Sequence, residues 1–68
     1  MTEDQARCIA KIFGIKDAGS CPMAVDRPEG IDGPSFLVYE SCNGIGVVVS
    51  EASGRVLAIV SGEGVLVE

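Results

Sequence analysis

"GIGVVVSEASGRVLAIV", Gly44 to Val60, holds two β-branched runs on either side of Ser53-Gly54. Apolar residues occupy both alternating positions of each run, so a hairpin made from them is apolar on both faces. Working outward, "SFLVYESC" supplies a run that ends before Asn43-Gly44, and Gly62 and Gly64 interrupt the chain before "VLVE". The spacing predicts an antiparallel meander over residues 35–67. Asn43-Gly44 suits a two-residue type I′ turn, because both central positions need positive φ. At the second turn Ser50 is placed to accept a backbone N–H, and Gly54 to take the left-handed position of a longer loop.

These turns set Glu40 opposite Val47 and Val49 opposite Val56, which sorts the side chains by face. One face collects Phe36, Val38, Glu40, Cys42, Ile45, Val47, Val49, Val56, Ala58 and Val60. The other collects Leu37, Tyr39, Ser41, Gly46, Val48, Ser50, Arg55, Leu57, Ile59 and Ser61. A bulge at the Gly54 turn would carry later side chains across the sheet. Glu40 among apolar neighbours requires an edge position, or a partner such as Arg55 or Lys11.

Toward the N-terminus, Thr2 and Gln5 form a capping-box pattern, with Glu3 and Asp4 where the helix dipole favours negative charge. Ala6, Ile9, Ala10 and Phe13 recur at helical spacing, with Ile12 at the stripe edge and Gly14 suited to a left-handed C-cap. A helix is expected over residues 3–13. Residues 14–34 contain all three prolines and read as a Pro/Gly-rich loop, with one short edge strand near Met23 to Arg27. The expected fold is therefore α+β, a single domain over residues 1–68: one N-terminal helix packed on a small antiparallel β-meander of three to four strands.

Size makes coverage of the sheet an acute question. A domain of 68 residues buries only about 60% of the surface its unfolded chain exposes. A core of this size rarely supplies more than roughly 3 to 5 kcal/mol without a disulfide, a metal or a second subunit. The cysteines, Cys8, Cys21 and Cys42, are odd in number, scattered and unaccompanied by histidine. Reduced thiols are expected, with Cys8 and Cys42 acting as small buried hydrophobes and Cys21 in an exposed loop where a thiol is free to react. The acidic N-terminus lacks the pattern of a secretory signal and no run is long enough to span a membrane, so the expected location is cytoplasmic.

Ten acidic against five basic side chains give a net charge of -5, which argues against a nucleic-acid partner. Without histidine there is no Cys-His or Ser-His nucleophile pair. The glycine-rich stretches lack the strand-loop-helix context of a phosphate cradle. Asp26, Glu29 and Asp32 share one loop without EF-hand spacing and read as solvated. No catalytic residue, metal ligand or cofactor is assigned.

One short helix covers one face of a sheet, so the second apolar face needs the Pro/Gly-rich loop and the C-terminal tail, or another molecule. The partner surface is assigned to Leu37, Tyr39, Val48, Leu57 and Ile59, Tyr39 being of a type enriched at interface hot spots. The pattern "EDQARCIAKIFGI", then "SFLVYE", then "VVVSEASGRVLAI" resembles a PepSY-type domain, whose final hairpin has the form V-x-V-D-x-x-T-G-x-V. Gly54 and Val56 match, Ser53 stands for the threonine and Ser50 for the aspartate. The hairpin is also similar to that of small bacterial immunity-type proteins, which are cytoplasmic, acidic and bind a toxin. PepSY-type domains are common in secreted or membrane-attached proteins and linked to peptidase inhibition. Either resemblance implies a binding module and brings no catalytic residues. The expectation is a small non-enzymatic protein-interaction module, of inhibitor or immunity type, that pairs with itself as a homodimer or with another protein and with neither nucleic acid nor membrane. The alternative is a thiol- or metal-dependent activity centred on Cys21 and the acidic loop.

Overall fold

The computed structural model describes residues 2–30, 33–61 and 64–67. Helix α1 spans Glu3–Ile12. Its start is the expected capping box: Gln5 N–H donates to Thr2 Oγ1 at 3.3 Å and Thr2 N–H to Gln5 Oε1 at 2.8 Å. Its end is a Schellman turn in which Gly14, at φ 91°, donates to the Lys11 carbonyl and Ile15 to the Ala10 carbonyl. That reversal corrects the expected stripe. Phe13 becomes the C-cap, half exposed, and Ile12 is 82% exposed, while Ile15 folds back under the helix into the core.

Among the described residues six strands follow: β1 (Met23–Asp26), β2 (Glu29–Gly30), β3 (Gly33–Glu40), β4 (Gly46–Ser50), β5 (Val56–Ser61) and β6 (Gly64–Val67). The sheet runs β1-β3-β4-β5-β6, all neighbours antiparallel, and β2 pairs with the start of β3. Strands β3 to β6 are the expected meander. The Pro/Gly-rich segment supplies the expected edge strand as β1, between Pro22 and Pro28, where missing N–H donors cost no ladder bonds, and β2 in addition.

The β3–β4 connection is not a two-residue turn. Glu40 N–H donates to the Ile45 carbonyl and Gly44 N–H to the Glu40 carbonyl, enclosing four residues, of which Gly44 alone has positive φ, 72°. The β4–β5 turn repeats this: Ser50 N–H donates to Arg55 O, Gly54 N–H to Ser50 O, and Gly54 has φ 73°. In each, the residue before glycine caps the loop, Asn43 Oδ1 accepting the Ile45 N–H and Ser53 Oγ the Arg55 N–H. Ser50 Oγ accepts the Ser53 N–H, the expected role of that serine.

The longer first loop moves the β3/β4 register by two residues, pairing Val38 with Val47 and Tyr39 with Gly46. A shift of two leaves every β3 and β4 side chain on its expected face. Between β4 and β5 Val49 pairs with Val56 as expected, but Val48 then pairs with Ala58 and Val47 with Ile59, so Leu57 is an extra residue in a bulge. Beyond it, Ile59 joins the helix side and Ala58 and Val60 the other side, reversing their expected faces.

The core lies between α1 and the face carrying the rows Val25-Val38-Val47-Ile59 and Phe36-Val49-Val56. Val38, Val47 and Val49 are fully buried beneath Ala6 and Ala10, whose small side chains let the helix sit close over the β3 and β4 valines. The molecule is 17 Å through its thinnest axis, the depth of two layers rather than three. Among the described residues no helix is long and apolar enough to cross a membrane.

Candidate functional site

With α1 on one side, two cross-strand rows define the opposite face: Asp26-Leu37-Val48-Ala58 and Ala24-Tyr39-Gly46-Val60. Ala24, Leu37, Tyr39, Val48, Ala58 and Val60 are each half-buried, and none reaches the burial of Val38, Val47 and Val49 on the helix side. Among the described residues the Pro-rich segment and the tail extend the sheet at its edges, as β1 and β6, instead of folding over this face. The result is a contiguous aliphatic and aromatic surface with exposed Asp26 at one rim.

Of the residues assigned to a partner surface from sequence, Leu37, Tyr39 and Val48 lie together here. Ile59 does not: it packs against the core cluster under α1. Leu57 is 38% exposed at the bulge. Ala58 and Val60 take their places, together with Ala24 from β1. The bulge depends on how the Gly54 loop closes, and β1 pairs with β3 across a long connection, so neither assignment is readable from local periodicity.

Gly46 sits in the middle of this face. A Cβ there would lie 2.6 Å from Tyr39 Cβ and 2.7 Å from Tyr39 Cα, and against the Val38 carbonyl oxygen. Glycine is what permits Tyr39 its position opposite β4.

A second constellation forms at the end of β3. Cys21 and Cys42 are disulfide-bonded, with Cα atoms 5.3 Å apart, and Cys8 is free and exposed. The expectation of reduced thiols is thereby corrected, as are those of a free Cys21 thiol and of Cys8 and Cys42 as buried hydrophobes. An odd cysteine count concealed one pair because its partners are brought together by β1–β3 pairing: Ser41 N–H donates to the Pro22 carbonyl, and Cys42 N–H to Cys21 Sγ at 3.3 Å. Glu40 closes the same corner. Its Oε2 accepts the Lys16 N–H at 3.1 Å and its Oε1 the Asn43 side-chain amide at 3.0 Å. The Lys16 backbone bond first, then the Asn43 bond and the Lys16 charge, hold its carboxyl below the ordinary value of 4.5. Glu40 is thus partnered by neither Arg55 nor Lys11.

Of the acids in the acidic loop, only Asp26 has a described side chain. Asp26 is exposed, while Asp32 and the Glu29 side chain lie outside the described residues. Arg27 instead stacks over the buried Phe36 ring, 4.9 Å from its centroid, and pairs with Glu51. A shallow apolar groove of about 530 Å³ runs between the first turns of α1 and the β4–β5 loop, lined by Asp4, Gln5, Cys8, Ile9 and Ala52 to Gly54.

No family model matches the chain, and neither a curated protein nor a solved structure is found similar to it.

Proposed function

We propose that this protein is a small non-enzymatic interaction module that binds a protein surface, a second copy of itself or another chain, through the sheet face of Leu37, Tyr39, Val48, Ala58 and Val60. The observation that carries the reading is the two-layer build: one helix covers one face, and the described edge strands leave the other apolar and uncovered. A rigid sheet presenting an aromatic among aliphatic residues has little side-chain entropy to lose on docking, and an acidic surface sets orientation by excluding acidic partners. The resemblance to PepSY-type and immunity-type proteins supports a binding role of inhibitor or immunity kind.

The Cys21–Cys42 disulfide supports residence in an oxidising compartment rather than the cytoplasm, where thiols are held reduced.

Light scattering over a range of concentrations, paired with binding of an apolar fluorescent dye, tests the reading. The wild-type protein is expected to dimerise with rising concentration or, as a monomer, to bind the dye; Val48→Asp should abolish both while leaving the circular dichroism spectrum unchanged. A wild-type chain that stays monomeric and binds no dye would overturn it.

A further inference from the structure

The corner at the end of β3 brings three metal-binding side chains together from segments far apart in sequence. Cys21 comes from the loop before β1, Glu40 from the last position of β3, and Cys42 from the β3–β4 turn. One ligand atom from each lies within 4.8 Å of the others. In a tetrahedral zinc site with Zn–S near 2.3 Å and Zn–O near 2.1 Å, ligand atoms stand about 3.6 to 3.8 Å apart, a spacing that the two sulfurs take up only once the bond between them is broken.

The surroundings resemble the outer shell of a metal site. Both Glu40 oxygens are oriented by hydrogen bonds, from the Lys16 N–H and the Asn43 amide, and Cys21 Sγ already accepts the Cys42 N–H. Two further bonds tie the cysteine loops besides the disulfide: Met23 N–H to Asp17 Oδ1 at 2.9 Å and Ser41 N–H to the Pro22 carbonyl at 3.0 Å. Cys21 and Glu40 are half-buried and Cys42 is exposed, so the corner opens to solvent on one side.

We propose that reduction of the Cys21–Cys42 disulfide uncovers a zinc site formed by the two thiolates and the Glu40 carboxylate, with water as the fourth ligand. A dithiol reductant supplies two electrons and two protons, breaking the S–S bond to give two thiols and becoming a disulfide itself. Zinc then displaces the two thiol protons to solvent and forms two Zn–S bonds and one Zn–O bond. Soft thiolates select zinc over magnesium or calcium, and the exposed fourth position gives the ion its route in. A disulfide oxidant runs the sequence backward: it takes two electrons from the sulfurs and two protons from solvent to become two thiols, while the S–S bond re-forms and the ion is released. The chain thus holds either a disulfide or a metal at this corner, and never both. This inference is independent of the sheet face.

The test is a competition for zinc between the full-length chain and a chromophoric chelator, with the protein either oxidised or reduced by a phosphine. The reduced chain should withdraw one zinc per molecule and the oxidised chain none. Cys8→Ser should leave this unchanged, Cys21→Ser or Cys42→Ser should abolish it, and Glu40→Gln should weaken it about tenfold or more. The oxidised wild type and Glu40→Gln decide the question should a cysteine variant fail to fold. A reduced chain that takes up no zinc, equal uptake in both redox states, undiminished uptake by Glu40→Gln, or uptake lost with Cys8→Ser would overturn the proposal.

Discussion

Gly46 and Glu40 each hold a position that another side chain would upset, for opposite reasons. At Gly46 the constraint is steric: a methyl group would press on the Tyr39 backbone and the Val38 carbonyl, neither of which can move without breaking the β3–β4 ladder. Gly46→Ala is expected to cost about 1 to 3 kcal/mol, read as a lower denaturant midpoint at an unchanged slope. At Glu40 the constraint is electrostatic. Its hydrogen bonds from Lys16 and Asn43 favour the carboxylate, so its folded pKa lies below its unfolded one. The stabilisation is complete above the unfolded value and is lost as pH falls through the folded value. Melting temperatures of the wild type and Glu40→Gln should therefore differ at neutral pH and converge as pH falls below the folded value. A constant gap at all pH values would show that the charge contributes nothing.

The elements explain where the sequence was legible and where it was not. α1 was readable almost residue by residue, because its capping box and its Gly14 terminator are local chemistry. Phe13 misleads because its helical spacing continues one residue past the point where the Schellman turn redirects the chain toward Ile15. The faces of β3 and β4 survived an incorrect turn because a register error of two preserves alternation. The bulge at Leu57 inserts one residue and reverses everything after it. Ile59→Ala should therefore cost about 2 kcal/mol, since Ile59 packs under α1, whereas Leu57→Ala should cost well under 1 kcal/mol; the reverse order would restore the register expected from the turn residues alone. The disulfide joins two irregular segments to the end of β3. Closing a loop across a separation of 21 residues, it is expected to contribute about 3 kcal/mol, measured as the difference in unfolding free energy between oxidised protein and Cys21→Ser/Cys42→Ser.

At the scale of the molecule, the ten-residue α1 is set against a sheet that, among the described residues, is five strands wide along its main path. Small alanines at Ala6 and Ala10 bring that helix close over the buried valines, and the disulfide and Arg27 ties secure the edges. None of these covers the Tyr39 side. The shortage of a second layer is legible from the residue pattern, since both faces of the hairpin strands carry apolar side chains. The membership of the open face was not, because it depends on the bulge and on β1. Tyr39 is the sole tyrosine in a chain without tryptophan, so its fluorescence reports on this face directly. Acrylamide quenching of that fluorescence is the most direct test of the account. Tyr39 should be readily quenched in the dilute monomer and become shielded when the protein dimerises or engages its partner. A Tyr39 protected in the dilute monomer, or equally quenched in the associated state, would contradict the assignment of this face as the docking surface.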